Sequence, residues 1–148
     1  MVDVYGDYKY NILAAAAMFL QCHIAGIKCY RARLRYKVDY PDMGSGRYSD
    51  KLSDKEWVEF NSIIRVHQNY VEQLPIAVGS VLMGGLYFPK FTAILGGVYV
   101  LSRLMYAYGY SNFGPNGRLT GAICQNLSAM VNLVACFVGV FFAFKNAH

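Results

Sequence analysis

The sequence predicts an all-α integral membrane protein, a bundle of four helices. Hydrophobic residues make up 55% of the 148 positions and charged residues only 16%, which is more apolar than an ordinary soluble domain. Residues 119–144 contain no Asp, Glu, Lys or Arg, and about twenty such residues suffice to cross a hydrocarbon core. No segment shows the alternation of apolar and polar residues that is typical of a membrane β-barrel strand, so the spans should be helical. Residues 1–148 then form one membrane domain.

Four membrane spans are predicted, at about residues 10–31, 60–87, 90–110 and 119–144. The first span is free of charge between residues 10 and 27. It does not have the pattern of a cleaved signal peptide, because Asp3 and Asp7 precede it and its basic cluster follows it.

The two middle spans carry charged residues within their apolar sequence. Arg65 and Glu72 lie in the second span and Arg103 lies in the third. Short turns at residues 87–90 and 111–118, each containing proline, separate the last three spans.

The only long polar segment, at about residues 32–59, connects the first two spans. Eight of the fourteen Lys and Arg residues fall between Lys28 and Lys55. Nearby acidic residues almost neutralise them, so the net charge of +5 does not mark a nucleic-acid-binding face. Basic residues beside a span instead favour the cytoplasmic side. We expect a cytosolic loop and both termini in the lumen.

Metal and common catalytic motifs are missing from the sequence. The four cysteines and three histidines show no metal-ligand spacing, and the cysteines are expected to pack as small apolar groups. There is no phosphate-binding glycine loop, dinucleotide fingerprint or Ser-His-Asp arrangement.

Polar residues form a stripe on each of the two middle helices, at spacings that keep them on one face. Their members are Arg65, Asn69 and Glu72 on the second helix, and Tyr99, Arg103, Tyr106 and Tyr110 on the third. Ionisable residues in a membrane indicate a functional site. Facing stripes would enclose a pocket with two guanidinium groups for a small zwitterion bearing several carboxylates. The alternative is a buried ion pair, an interhelical amide bond and an interfacial tyrosine belt.

Three motifs resemble the membrane-associated eicosanoid and glutathione metabolism family, MAPEG. The second helix carries residues 65–72, RVHQNYVE, followed by Pro75. Residues 33–41, RLRYKVDYP, and residues 103–110, RLMYAYGY, are similar to its microsomal glutathione transferases. The resemblance covers essentially the whole chain, with the motifs in the family's order.

The resemblance implies a homotrimer that uses glutathione as co-substrate, without a metal. The glutathione-binding residues that it implies are Arg33, Arg65, His67, Asn69, Glu72, Tyr106 and Tyr110. Arg33 and His67 would come from the adjoining subunit. This agrees with the helical wheel, which turns His67 about 160° from the stripe, although a packing histidine is the alternative. Arg118 would be catalytic, stabilising the glutathione thiolate, which is the nucleophile.

The predicted function is that of a membrane glutathione transferase and peroxidase. Its expected partners are glutathione, a hydrophobic electrophile or lipid hydroperoxide, and membrane lipid, with the endoplasmic reticulum or the mitochondrial outer membrane as location. A leukotriene-C-synthase-like activity is a further expectation, although Leu34 and Gln73 depart from that enzyme. The alternatives are a non-catalytic lipid-binding protein and a structural membrane subunit of the same fold.

Overall fold

The computed structural model describes residues 6–146 and consists of four long α-helices in that range. They are α1 (Lys9–Tyr36), α2 (Asp54–Gly85), α3 (Pro89–Gly117) and α4 (Leu119–Lys145). The predicted all-α four-helix class is confirmed.

Three of these helices are long and apolar enough to cross a membrane. The most apolar stretches of α1, α3 and α4 have mean hydropathies of 1.6, 1.2 and 2.3. The second helix does not meet the same criterion, because the charged first turns and the polar residues around Arg65 and Glu72 dilute its apolar sequence. A helix of this kind depends on its neighbours to remain in lipid.

The second and third helices form the centre of the bundle. Each of them contacts all three other helices, whereas α1 and α4 lie at opposite edges with no contact between their described residues. One buried apolar cluster has members from all four helices, including the small side chains Ala14, Ala15 and Ala77 and the rings of Tyr70 and Tyr99. Because α2 and α3 are central, a polar side chain on either helix that points inward lies in the middle of the protein.

The loop between α1 and α2 is shorter than predicted, residues 37–53 rather than about 32–59. The first helix continues to Tyr36, which packs on Phe60 with ring centroids 6.0 Å apart. The second helix begins at Asp54 because Ser53 and Glu56 form a capping box, which satisfies backbone N–H groups at the first turn.

A buried carboxylate organises this loop. Asp42 accepts hydrogen bonds from the backbone N–H groups of Gly44 (2.7 Å), Gly46 (3.0 Å), Tyr48 (2.9 Å) and Ser49 (2.7 Å). Burial raises the pKa of Asp42, but these bonds outweigh it and lower the pKa to about 2. The loop is therefore an ordered element.

The turn predicted at residues 111–118 is largely helical. The third helix continues past Tyr110 and is interrupted at Gly114, whose φ of 70° and ψ of −162° are not helical. Pro115 begins a last turn that ends at Gly117, and Arg118 alone connects α3 to α4. Glycine adopts this positive φ without the steric cost of a side chain.

Candidate functional site

The polar stripe on α2 divides between the interior and the surface. Asn69 is half-buried and its Oδ1 accepts a hydrogen bond of 2.8 Å from Arg103. Arg65 and Glu72 are exposed, and Arg65 donates to the Oε1 atom of Gln68 at 3.3 Å. The two stripes thus meet at Asn69, while the charges of α2 face outward.

Arg103 fills the space where the sequence predicted an open pocket. Its Nη1 also donates to Oε1 of Gln125 at 3.0 Å, and its Nη2 to the Val66 carbonyl at 3.1 Å. The guanidinium lies over the rings of Tyr70 (4.1 Å) and Tyr106 (4.6 Å). Only 2% of Arg103 is exposed.

The expectation that Arg65 and Arg103 would form a guanidinium pair open to a ligand is therefore wrong. A buried cation is tolerated when hydrogen-bond acceptors of the protein replace the water that would solvate it. Arg103 donates to such acceptors on α2 and α4. Its Nε has no acceptor among the described residues. Arg103 organises the centre of the site and does not line an opening.

Gln125 is the partner that the sequence analysis missed. It is 1% exposed and lies in the second turn of α4, within the charge-free residues 119–144. A buried amide in an apolar span needs a hydrogen-bonding partner. That signal was present in the sequence, but the identity of the partner required the positions of three helices.

Arg118 lies beside the two tyrosines at the end of α3. Its Nη1 donates to the Tyr106 hydroxyl at 3.3 Å and its Nε to the Pro115 carbonyl at 3.1 Å. Its guanidinium lies 5.7 Å from the ring centre of Tyr110, and the Tyr106 and Tyr110 rings are 6.0 Å apart. The hydrogen bond to Tyr106 raises the pKa of Arg118, and an arginine side chain is in any case a permanent cation.

Close packing of α3 against α4 brings Arg118 to Tyr106. A Cβ atom added to Gly121 of α4 would collide with the backbone nitrogen of Tyr106 in α3, and across the kink at Gly114 within α3 one added to Gly109 would collide with the Gly117 carbonyl. Only a hydrogen atom fits at these crossings. The backbone approach therefore sets the position of the cation.

Arg33 and His67 lie apart from this group. Arg33 is buried; its Nη1 donates to the Val38 carbonyl at 3.2 Å and its guanidinium stacks 4.1 Å from the Tyr40 ring. His67 lies against α1, where a Cβ atom on Gly26 would be 3.4 Å from its Nε2. A groove of about 400 Å³ borders His67 on this α1 side.

The described residues thus bring together Asn69, Tyr106, Tyr110 and Arg118, with Arg103 connecting Asn69 to Tyr106. Arg33, Arg65, His67 and Glu72 do not join this group within one chain. Between residues 6 and 146 no three His, Cys, Asp or Glu side chains are grouped to hold a metal ion. A half-buried guanidinium held between two phenols can stabilise an anion that reaches it.

Comparison with known proteins shows the family of the chain. The MAPEG family profile matches residues 11–138. The chain is 33% identical to human "Microsomal glutathione S-transferase 2" over 113 residues, covering 74% of the chain and 69% of the relative. The Bos taurus protein of that name is 32% identical over the same coverage. "Uncharacterized protein sll1147" of Synechocystis is 30% identical over 88 residues, 59% of the chain and 64% of the relative.

The family match spans all four helices and the three motifs found in the sequence. Together with the three apolar helices, it identifies an integral membrane four-helix bundle. The chain belongs to the MAPEG family.

Proposed function

We propose that this protein is a membrane-bound glutathione transferase and glutathione-dependent peroxidase acting on lipophilic substrates. The observation that carries the proposal is the cation of Arg118, bonded to the Tyr106 hydroxyl at 3.3 Å and lying over the Tyr110 ring. The names of the human and bovine relatives support glutathione as the thiol substrate.

Arg118 acts by stabilising the thiolate of bound glutathione. A free thiol with a pKa of about 8.5 is mostly protonated at neutral pH, and a nearby fixed cation favours the anion. The Tyr106 hydroxyl accepts a hydrogen bond from the guanidinium and keeps it in place.

The thiolate can react with two classes of lipophilic substrate. With an electrophilic lipid, the sulfur forms a bond to carbon while an epoxide C–O bond or an activated C=C π bond of the lipid breaks. The atom that receives the electron pair then takes up a proton, and the product is a thioether conjugate. With a lipid hydroperoxide, the sulfur attacks the terminal oxygen and the O–O bond breaks, releasing the lipid alcohol after protonation. A second glutathione then displaces water from the sulfenic acid, so two thiols are oxidised to one disulfide. A leukotriene-C-synthase-like activity would be an instance of conjugation.

The remaining residues bind the tripeptide by charge. Arg65 and Glu72 are exposed, so Arg65 can pair with a carboxylate and Glu72 with the α-amine. Asn69 and Tyr110 complete the site within the chain. We assign Arg33 and His67 to the same site from the adjoining subunit of a homotrimer, as the resemblance to the family implies; the position of His67 against α1 supports this assignment.

The proposal places the protein in the endoplasmic reticulum membrane, with the mitochondrial outer membrane as the alternative. The basic loop would face the cytosol, which supplies glutathione, and both termini would face the lumen. The lipophilic substrate would arrive through the bilayer.

Titration of the purified protein with glutathione tests this function. Ultraviolet difference absorbance should show thiolate formation at neutral pH in the wild type and not in Arg118→Ala. Loss of a positioned charge donor reduces turnover by about 100-fold or more, and peroxidase activity of Arg118→Ala should fall accordingly. Arg47→Ala removes an exposed arginine of the loop and should behave as wild type. No thiolate signal in wild type, with equal activity in both variants, would refute the enzyme assignment.

A further inference from the structure

We infer that a groove between α1 and α3 binds an anionic phospholipid. This α1–α3 groove encloses about 410 Å³, a volume within the usual range of ligand pockets. Its apolar lining includes Ile63 and Val66 of α2 and Leu104 and Ala107 of α3, and its polar lining includes Tyr108, Ser111 and Asn112 of α3. Lys28 of α1 lines it at the end nearer the basic loop. The groove therefore combines an apolar trough with one cation.

The groove is separate from the proposed glutathione site. Leu104 is two residues before Tyr106, and a two-residue step turns a helix by about 200°. Leu104 and Tyr108, which both line the groove, are thus about 160° from Tyr106 around α3, whereas Ala107 lies between the two faces. The groove is therefore centred on the side of α3 opposite Tyr106, and it is not assigned to the lipophilic substrate.

The charges around the groove select the headgroup. Lys28, Arg31 and Arg35 are exposed and follow one face of α1, because they are three and seven residues apart. Arg35 lies 4.0 Å from Glu59, whereas Lys28 and Arg31 have no ion pair among the described residues. None of the residues lining the groove is acidic. The local charge is therefore complementary to a phosphate.

The depth of Lys28 suits a lipid that stands in the bilayer. Lys28 lies three residues before residue 31, where the first span is predicted to end, about 4.5 Å along the helix axis. A lysine at that depth extends its ammonium toward the headgroup region. One acyl chain would then lie along Ile63, Val66 and Leu104 while the phosphate pairs with Lys28. This assignment depends on the membrane location and is independent of the enzyme activity.

Native mass spectrometry of the detergent-purified full chain tests the site. The protein is titrated with phosphatidylglycerol or with phosphatidylcholine of the same acyl chains. Wild type should retain one phosphatidylglycerol per chain with about a fivefold preference, the factor expected for one basic residue near a membrane surface. Lys28→Gln should lose the preference, and Ala107→Trp, which fills the groove, should lose retention of both lipids.

Two matched variants control for charge and for size. Lys51→Gln removes an exposed lysine of the loop, and Leu127→Trp adds an indole on the exposed surface of α4; both should retain lipid as wild type. Inorganic phosphate at millimolar concentration should not displace the lipid, since the acyl chain contributes to binding. Equal retention of the two lipids by wild type and Lys28→Gln, or unchanged retention by Ala107→Trp, would overturn the assignment.

Discussion

The hydrogen bond between Arg118 and Tyr106 should be measurable through Tyr106→Phe. This substitution removes the acceptor at 3.3 Å and keeps the ring that packs under Arg103. A hydrogen bond to a charged group contributes about 1.5–3 kcal/mol, and the length of this one favours the lower value. About 1.5 kcal/mol corresponds to about a tenfold decrease in rate. Arg118 keeps its bond to the Pro115 carbonyl, so the loss should be smaller than in Arg118→Ala.

The thiolate itself provides the clearest assay of this prediction. If Arg118 becomes less well placed, the pKa of the bound glutathione thiol should rise by about one unit. The ultraviolet thiolate signal should then shift to higher pH, and kcat at neutral pH should fall. Tyr108→Phe, on the opposite and exposed side of α3, is the matched control. A Tyr106→Phe variant whose thiol titrates as in wild type, with normal kcat, would refute the role given to this contact.

Three further predictions concern stability, measured by thermal unfolding in detergent. Gly121→Ala forces its methyl group against the Tyr106 backbone and should cost about 1–3 kcal/mol, whereas Gly97→Ala, with no atom within 4 Å, should cost nothing; equal losses would contradict the close-packing argument. Asp42→Asn should cost about 2 kcal/mol, from the decrease of the Asp42 pKa from 3.8 to about 2. The pKa of Asp42 is lower in the folded state than in the unfolded state, so this stabilisation is complete above pH 3.8 and is lost as the pH falls toward 2. The Asp42→Asn variant should not show this loss of stability between pH 3.8 and 2. Ser53→Ala removes the cap of α2 and should cost about 1 kcal/mol; an unchanged melting temperature would exclude a contribution from the capping box.

The four-helix class and the family could be predicted because both depend on patterns within single segments. Charge-free runs of about twenty residues mark spans whatever their neighbours are. The motif around Arg65 and Asn69 is likewise contiguous in sequence. The helix ends were less predictable: apolar sequence predicts where a span ends, near residue 31 for the first one, but helical hydrogen bonds can continue beyond it, and α1 ends at Tyr36.

The role of Arg103 could not be predicted from the wheel of its own helix. The wheel placed Arg103 on the same face as Tyr106, which is correct, but its burial depends on acceptors supplied by Val66 and Gln125 of other helices. Arg33 shows the same limit, because its guanidinium is directed by the fold of the following loop. The contact of Arg118 with Tyr106 depends on the backbone approach of α3 and α4. Whether the adjoining subunit contributes Arg33 and His67 stays a prediction.

The polar character of α2 has a consequence for how the protein is made. A charged residue at the centre of a span opposes insertion by about 2.5–3.5 kcal/mol, and α2 carries both Arg65 and Glu72. Its hydropathy does not qualify it as a span by itself, yet it contacts every other helix of the bundle. During synthesis, α2 should therefore insert into the bilayer together with α3 and not before it. The two helices are joined by the hydrogen bonds that Arg103 of α3 donates to Val66 and Asn69 of α2.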